Sequence, residues 1–177
     1  MRYITATERD RQLLRNLTAS GLVPRREDGE PPNYAGYLVI KPWGFECEIF
    51  TTGACSLWFL CLEPGQAVSV HCHRNKVATF LPLSENVVFK TLDMTLPLVE
   101  GITIEKGVFH SQENTSNEPG YLLEYESPSD KLDLVRYKDR YGREGTGYET
   151  RTKMVPIGQI LEGTAGFEVL RNLRGDC

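Results

Sequence analysis

The chain has 177 residues, with 24 Asp and Glu against 20 Lys and Arg for a formal net charge of -4, and 40% of it is hydrophobic. That length holds one domain with a sizeable core and would cramp two, while the acidic balance argues against a nucleic-acid-binding or anionic-membrane-binding surface. Cys47, Cys55, Cys61, Cys72 and Cys177 form an odd set without C-x-x-C spacing, and the N-terminus has no apolar run of a signal peptide or span, so free thiols in a reducing cytoplasm are expected.

Thr5-Ala6-Thr7-Glu8 offers a capping box, and Leu13, Leu14 and Leu17 form an apolar stripe that stops before Gly21. A short helix is therefore expected over residues 6–19, packed on the domain body or on a partner subunit. Pro24 to Asn33 is polar and rich in turn formers, which makes 1–33 a helix with its linker. From Tyr34 onward the pattern changes to short β-rich runs: Tyr37–Ile40, Phe45–Thr51, Ser56–Leu62, Ala67–His73, Val77–Leu83, Asn86–Leu92, Ile102–Ile104, Val108–Gln112, Tyr121–Ser127 and Leu132–Arg136. So many short strands in one unit, here 34–149, predict an all-β sandwich or barrel. Beyond Tyr148 a polar hinge leads to Ile157–Leu161 and Phe167–Leu173, read as a pair of short helices or a docking tail in a C-terminal extension over 150–177. No internal repeat of solenoid or propeller length is present.

The three histidines of the chain are His71, His73 and His110. In a strand His71 and His73 share a face while Cys72 points away, so two imidazoles converge and Cys72 is expected to be a packed thiol. Glu63-Pro64-Gly65-Gln66 has Pro and Gly at the centre of a type II turn, returning strand Ser56–Leu62 into the histidine strand. His110 follows the turn signal Glu105-Lys106-Gly107 and can arrive from a neighbouring strand. Three neutral imidazoles suit a divalent ion such as iron, zinc, manganese or nickel and leave positions for water or substrate, as catalytic sites do.

These residues resemble the cupin motifs. Gly65, five residues, then His71-Cys72-His73 match the start of the first, and Gly107, two residues, His110, three residues, Asn114 match the end of the second. The motif-one glutamate would fall at Val77 or Ala78, or at Lys76 under a shorter spacing, and none of these is acidic; Glu105 stands where motif two has proline. Lys41-Pro42-Trp43-Gly44-Phe45-Glu46 and His71-Cys72-His73-Arg74 are similar to segments of the type II mannose-6-phosphate isomerase group. Asp133 to Glu144 looks like the tail of small cupins associated with bacterial surface sugars. The resemblance covers roughly Tyr34 to Glu149 and implies a double-stranded β-helix of jelly-roll type, a homodimer, one divalent metal on His71, His73 and His110, and a small sugar-like or anionic substrate.

Two residues are expected to serve as the pocket base in an isomerase or epimerase: Lys76, or Glu124 on the strand after His110. The segment Tyr121-Leu-Leu-Glu124-Tyr-Glu126 is also the leading source of a replacement carboxylate ligand, ahead of Glu46, Glu48 and Glu113. Arg74 and Arg136 are the cations expected to meet an anionic substrate. A three-histidine iron dioxygenase and a non-catalytic sugar-binding module remain open as alternatives.

Overall fold

The computed structural model describes residues 1–21, 34–144 and 152–157. Its order is β1 (Arg2–Ile4), α1 (Glu8–Ala19), β2 (Tyr37–Lys41), β3 (Gly44–Thr51), β4 (Ser56–Leu62), β5 (Val70–Cys72), β6 (Val77–Pro82), β7 (Val87–Thr91), β8 (Thr95–Pro97), β9 (Ile102–Ile104), β10 (His110–Asn114), β11 (Gly120–Ser127), β12 (Val135–Lys138) and β13 (Lys153–Pro156). Among the described residues these strands form an eight-stranded sheet, β1-β9-β6-β11-β4-β3-β2-β13, and a five-stranded sheet, β12-β5-β10-β7-β8. The roll is all-β, as the density of short strands predicts, with α1 set against it.

Side-chain alternation divides each sheet into an inner and an outer face. On β4, Trp58, Leu60 and Leu62 join Ala78 and Phe80 of β6 and Leu122 of β11 in the interior core, while Phe59 and Cys61 pack outward with Leu38, Phe45 and Cys47. The Pro64-Gly65 turn forms as expected: Gly65 has φ 71° and the Gln66 amide donates to the Glu63 carbonyl at 3.0 Å. Gly107, at φ 84°, makes the turn before His110.

Several boundaries differ from the sequence expectation. The helix cap lies two residues later, with Thr7 as N-cap and Asp10 completing the capping box. Asp10 wins because its second oxygen accepts the Phe109 amide at 3.0 Å, tying the helix to the residue before His110. The histidine strand is shorter than 67–73, because Ala67 makes only an isolated bridge to Glu113. The three-residue strands β1 and β8 carry too little periodicity to announce themselves. The polar hinge after Tyr148 contains β13, which pairs with β2. β1 and β13 thus join the eight-stranded sheet from outside the 34–149 span. The Pro24–Asn33 linker and the proposed tail elements beyond Ile157 lie outside the described residues. No helix among the described residues is long and apolar enough to cross a membrane.

Candidate metal centre and its acidic wall

His71 and His110 are direct partners across the β5–β10 ladder, and His73 follows just beyond β5. The ring centroids lie 4.5 Å apart for His71–His110, 5.1 Å for His71–His73 and 5.4 Å for His73–His110. All three are buried, and one nitrogen of each falls within 4.8 Å of the others. Cys72 points to the opposite side, packed with Phe109 and Val135 against Leu13, Leu14 and Leu17 of α1, and burial pushes its thiol up.

Each imidazole is fixed through Nδ1. His71 Nδ1 meets the Ser69 carbonyl at 2.8 Å, His73 Nδ1 the Asp133 carbonyl at 2.5 Å, and His110 Nδ1 the Val108 carbonyl at 3.0 Å. A carbonyl only accepts, so Nδ1 carries the proton and Nε2 keeps its lone pair. Nε2 of His73 and of His110 is buried with no hydrogen-bond partner. Burial, followed by the Lys76 charge, lowers His73 to about 4; burial, followed by His73, lowers His110 to about 3. His71 is lowered well below the ordinary histidine value, by burial and then by the two other imidazoles. Neutral, pre-oriented imidazoles with unused lone pairs are what a divalent ion requires, so this donor set fits the metal that the sequence resemblance implies. Phe80 and Phe89 close one side, with Phe89 stacked 5.8 Å from His110.

The eight-stranded sheet supplies a facing acidic wall. Glu124 sits opposite Trp58 and Phe80, and Glu126 opposite Ser56 and Ala78, so both carboxylates point into the roll. One oxygen of each, Oε1, lies 3.9 Å from His73 Nε2. The two carboxyls differ. Burial, reinforced by the negative charge of Glu126, pushes Glu124 up to about 8. Burial also opposes the charge on Glu126, yet the Lys76 ammonium and then His73 and Lys131 hold it below its ordinary value. Lys76 Nζ donates to Glu126 Oε1 at 2.5 Å, and Ser56 Oγ donates to Oε2 at 3.2 Å.

Further round the wall, Glu46 lies 2.6 Å from Lys131 Nζ and 3.4 Å from Lys41 Nζ. Lys131 also rests 3.4 Å from the Trp58 ring centroid. Arg136, on β12 opposite His71, is buried; its Nε reaches Ser69 Oγ at 3.4 Å and its Nη1 the Arg143 carbonyl at 3.0 Å. The space enclosed by His71, His73, Glu46, Glu124, Glu126 and Arg136 is about 30 Å³.

The structure therefore brings His71, His73, His110, Lys76, Glu124 and Arg136 together, and it leaves Arg74 outside. Arg74 follows His73 by one residue and turns outward, bordering a surface groove with Arg11, Leu14 and Arg15. Glu126 ends the segment Tyr121–Glu126 that the sequence offers as the carboxylate source, and its i, i+2 relation to Glu124 puts it on the same face. Sequence reasoning assigned no role to Lys131, nor to Asp133, which the expected run Leu132–Arg136 included and which precedes the strand as it forms, β12 at Val135–Lys138. The Asp133 carboxylate accepts the amides of Arg74, Asn75 and Lys76 at 2.9, 2.6 and 3.0 Å, fixing the turn after His73.

The strand order and the inward histidines define a cupin fold, an all-β double-stranded β-helix. No family model matches the chain. Over 123 residues it is 28% identical to mannose-1-phosphate guanylyltransferase of Escherichia coli (strain K12), covering 67% of this chain and 26% of that protein. Mannose-1-phosphate guanylyltransferase ManC of Salmonella typhimurium is likewise 28% identical over 123 residues, covering 67% and 25%. The chain thus spans about a quarter of the length of the curated relatives it matches. Among solved structures, the capsular polysaccharide assembling protein CapF from Staphylococcus aureus matches with a TM-score of 0.52 at 17% identity, over 76% of this chain and 41% of that one. A Klebsiella pneumoniae protein with a double-stranded beta-helix domain matches at a TM-score of 0.48 and 16% identity, over 68% and 94%.

Proposed function

We propose that this cupin is a metal-dependent isomerase or epimerase of a sugar or sugar phosphate, with His71, His73 and His110 holding one divalent ion. The observation that carries the reading is the pairing of lone-pair-bearing, carbonyl-anchored imidazoles with an inward carboxyl, Glu124, whose value of about 8 suits proton exchange near neutrality. A bound ion supplies Lewis acidity that polarises a substrate oxygen. Glu124 holds or takes the proton of the adjacent carbon. Arg136 provides charge for an anionic group, and Trp58 a flat apolar face. Lys76 Nζ is committed to Glu126 Oε1, so the base role is assigned to Glu124. The relatives named for mannose 1-phosphate and for capsular polysaccharide favour activated or phosphorylated hexoses as the substrate class.

Enclosed space of about 30 Å³ is far below the ~300–1,000 Å³ of small-molecule sites. A sugar therefore enters only as mouth side chains such as Lys131 move. The test is incubation of the zinc-, manganese- or iron-loaded protein with hexose phosphates and nucleotide sugars in D₂O, read by NMR. Deuterium at the carbon next to the carbonyl is expected, falling at least a hundredfold in Glu124→Gln with metal content unchanged. Sugar binding that survives chelation, with no exchange under any metal, overturns the enzyme reading in favour of a binding module. One observation favours a second reading: the ion pair of Lys76 with Glu126 leaves three neutral imidazoles as donors, a set suited to an iron dioxygenase. Oxygen uptake by the iron form, absent with zinc, distinguishes it.

A further inference from the structure

The acidic wall holds an arrangement to which the isomerase scheme assigns no role. Glu126 Oε1 is 3.9 Å from His73 Nε2 and 2.5 Å from Lys76 Nζ, so one oxygen faces both the imidazole lone pair and an ammonium. Two donors each ~2.0–2.2 Å from a shared ion lie at most ~4.4 Å apart, and the Glu126–His73 separation of 3.9 Å is within that reach. The other oxygen is anchored: Ser56 Oγ donates to Oε2 at 3.2 Å, and Trp58 Nε1 donates to Ser56 Oγ at 3.1 Å. That chain aims Oε1 into the site, as hydrogen-bonded partners aim metal-ligating carboxylates. His73 Nε2, buried and without a hydrogen-bond partner, is the atom it faces, and His73 is shared between the three-histidine cluster and the cluster of His73, Glu124 and Glu126. The two oxygens 3.9 Å from His73 are not equivalent in setting, since Glu126 is the carboxylate whose other oxygen is anchored by Ser56 and whose Oε1 also meets the Lys76 ammonium.

We propose that Glu126 is the carboxylate donor of the metal centre and that Lys76 is a tethered cation that competes with the metal for the same oxygen. The inference rests on the metal reading of the three histidines and adds to it a fourth donor, delivered from β11, with an internal counter-ion that sets affinity. In the metal-free protein Lys76 neutralises a buried carboxylate that would otherwise be costly. When the ion binds, the ammonium gives up Oε1, so affinity is lower than the donor set alone would allow. The preferred ions are those that accept imidazole and carboxylate together, namely zinc, manganese, iron and nickel.

The experiment titrates metal-free full-length protein with Zn²⁺ and with Mn²⁺ against a chromophoric chelator, for wild type, Glu126→Gln, Lys76→Met, the double variant and His110→Ala. Glu126→Gln is expected to weaken binding at least tenfold and Lys76→Met to tighten it at least tenfold. In the Glu126→Gln background the gain from Lys76→Met should shrink below threefold. Should Lys76→Met fail to fold because its carboxylate is stranded, Lys76→Gln keeps a donor toward Oε1 without the charge and is expected to tighten binding in the same sense. Equal gains in both backgrounds would mean that Lys76 acts only through space, and affinity within threefold of wild type for Glu126→Gln would remove Glu126 from the donor set; either overturns the inference. Binding abolished by His110→Ala but indifferent to Glu126→Gln overturns it while leaving the three-histidine centre intact. No binding by wild type or any variant overturns the metal reading and the inference together.

Discussion

Asp133→Asn is the substitution that tests whether the geometry of the site is built from outside it. The Asp133 side chain is fully buried, and its two oxygens accept three consecutive backbone amides at 2.9, 2.6 and 3.0 Å. Asparagine has one acceptor oxygen, and its amide group would face a donor. At least one amide loses its partner, and the bonds that survive lose their charge assistance. A hydrogen bond to a charged group contributes about 1.5–3 kcal/mol and a stranded buried donor costs about 1–3 kcal/mol, so a total of about 3–5 kcal/mol is expected. For a chain of this size each kcal/mol moves the melting temperature by about 2–4 °C, which gives a fall of roughly 6–20 °C. The same change should weaken metal binding ~10–100-fold, because the Asp133 carbonyl is the acceptor that orients His73. Thermal melts and chelator-competition titrations of the two proteins read both effects. A melting point within 3 °C of wild type, with unchanged affinity, would refute the claim that this turn is the scaffold of His73.

Two further outcomes follow from the wall and the sheet. Burial opposes the charge on Glu46, yet Lys131 and then Lys41 more than offset it and bring its value from 4.5 to about 2; Glu124 is the acidic neighbour that faces it. A carboxyl depressed in the fold stabilises the protein above its unfolded value, and that contribution disappears as pH falls from about 4.5 through about 2, with an upper bound of about 3 kcal/mol. Glu46→Gln should therefore be less stable at pH 7 and show a flatter acid limb in denaturant melts taken from pH 7 to pH 2; parallel wild-type and variant curves would contradict this. Gly44 has φ 140°, and a Cβ there would lie 2.1 Å from the Cys61 carbonyl oxygen, so Gly44→Ala must push β3 off β4 and should cost more than about 3 kcal/mol, read by the same melts and refuted by a loss under 1 kcal/mol.

What could be read from the sequence is what alternation encodes. His71 and His73 share a face because they are two apart in a strand, and that rule works without knowing the partner strand. His110 was reachable because its turn glycine and Asn114 keep their spacing. Asn114 turns out to be structural: its amide nitrogen donates to the carbonyls of Leu62 and Glu118 at 3.0 and 2.7 Å, stitching the turns at the ends of two strands. The capping register was not legible, because Thr5 and Thr7 are both competent caps and the choice is made by the distant Phe109 amide. The pairing of Lys76 with Glu126 spans 50 residues and depends on the β6–β11 register, which a linear pattern does not carry. Arg74 carries a charge that suggests a role, and its position one after His73 and the Asp133-bound turn set it outside the cavity, a placement that alternation alone does not give.

The two sheets divide the chemistry. The five-stranded sheet presents His71 and Arg136, and the eight-stranded sheet presents Glu46, Glu124 and Glu126 across a narrow gap. Burying so many ionisable groups is tolerable only if each charge has a counter-charge, and the interior meets that condition with its own lysines: Lys76 on Glu126, Lys41 and Lys131 on Glu46. A ligand that engages one member of such a pair must compensate the other, which makes these pairs gates on occupancy as well as struts. In the proposed centre a divalent ion would meet the requirement at Glu126, and an anionic sugar would meet it at the opposite end by offering a new partner to Lys131 and Arg136. Metal and substrate binding are then expected to reinforce one another, since each relieves the charge imbalance that the other creates.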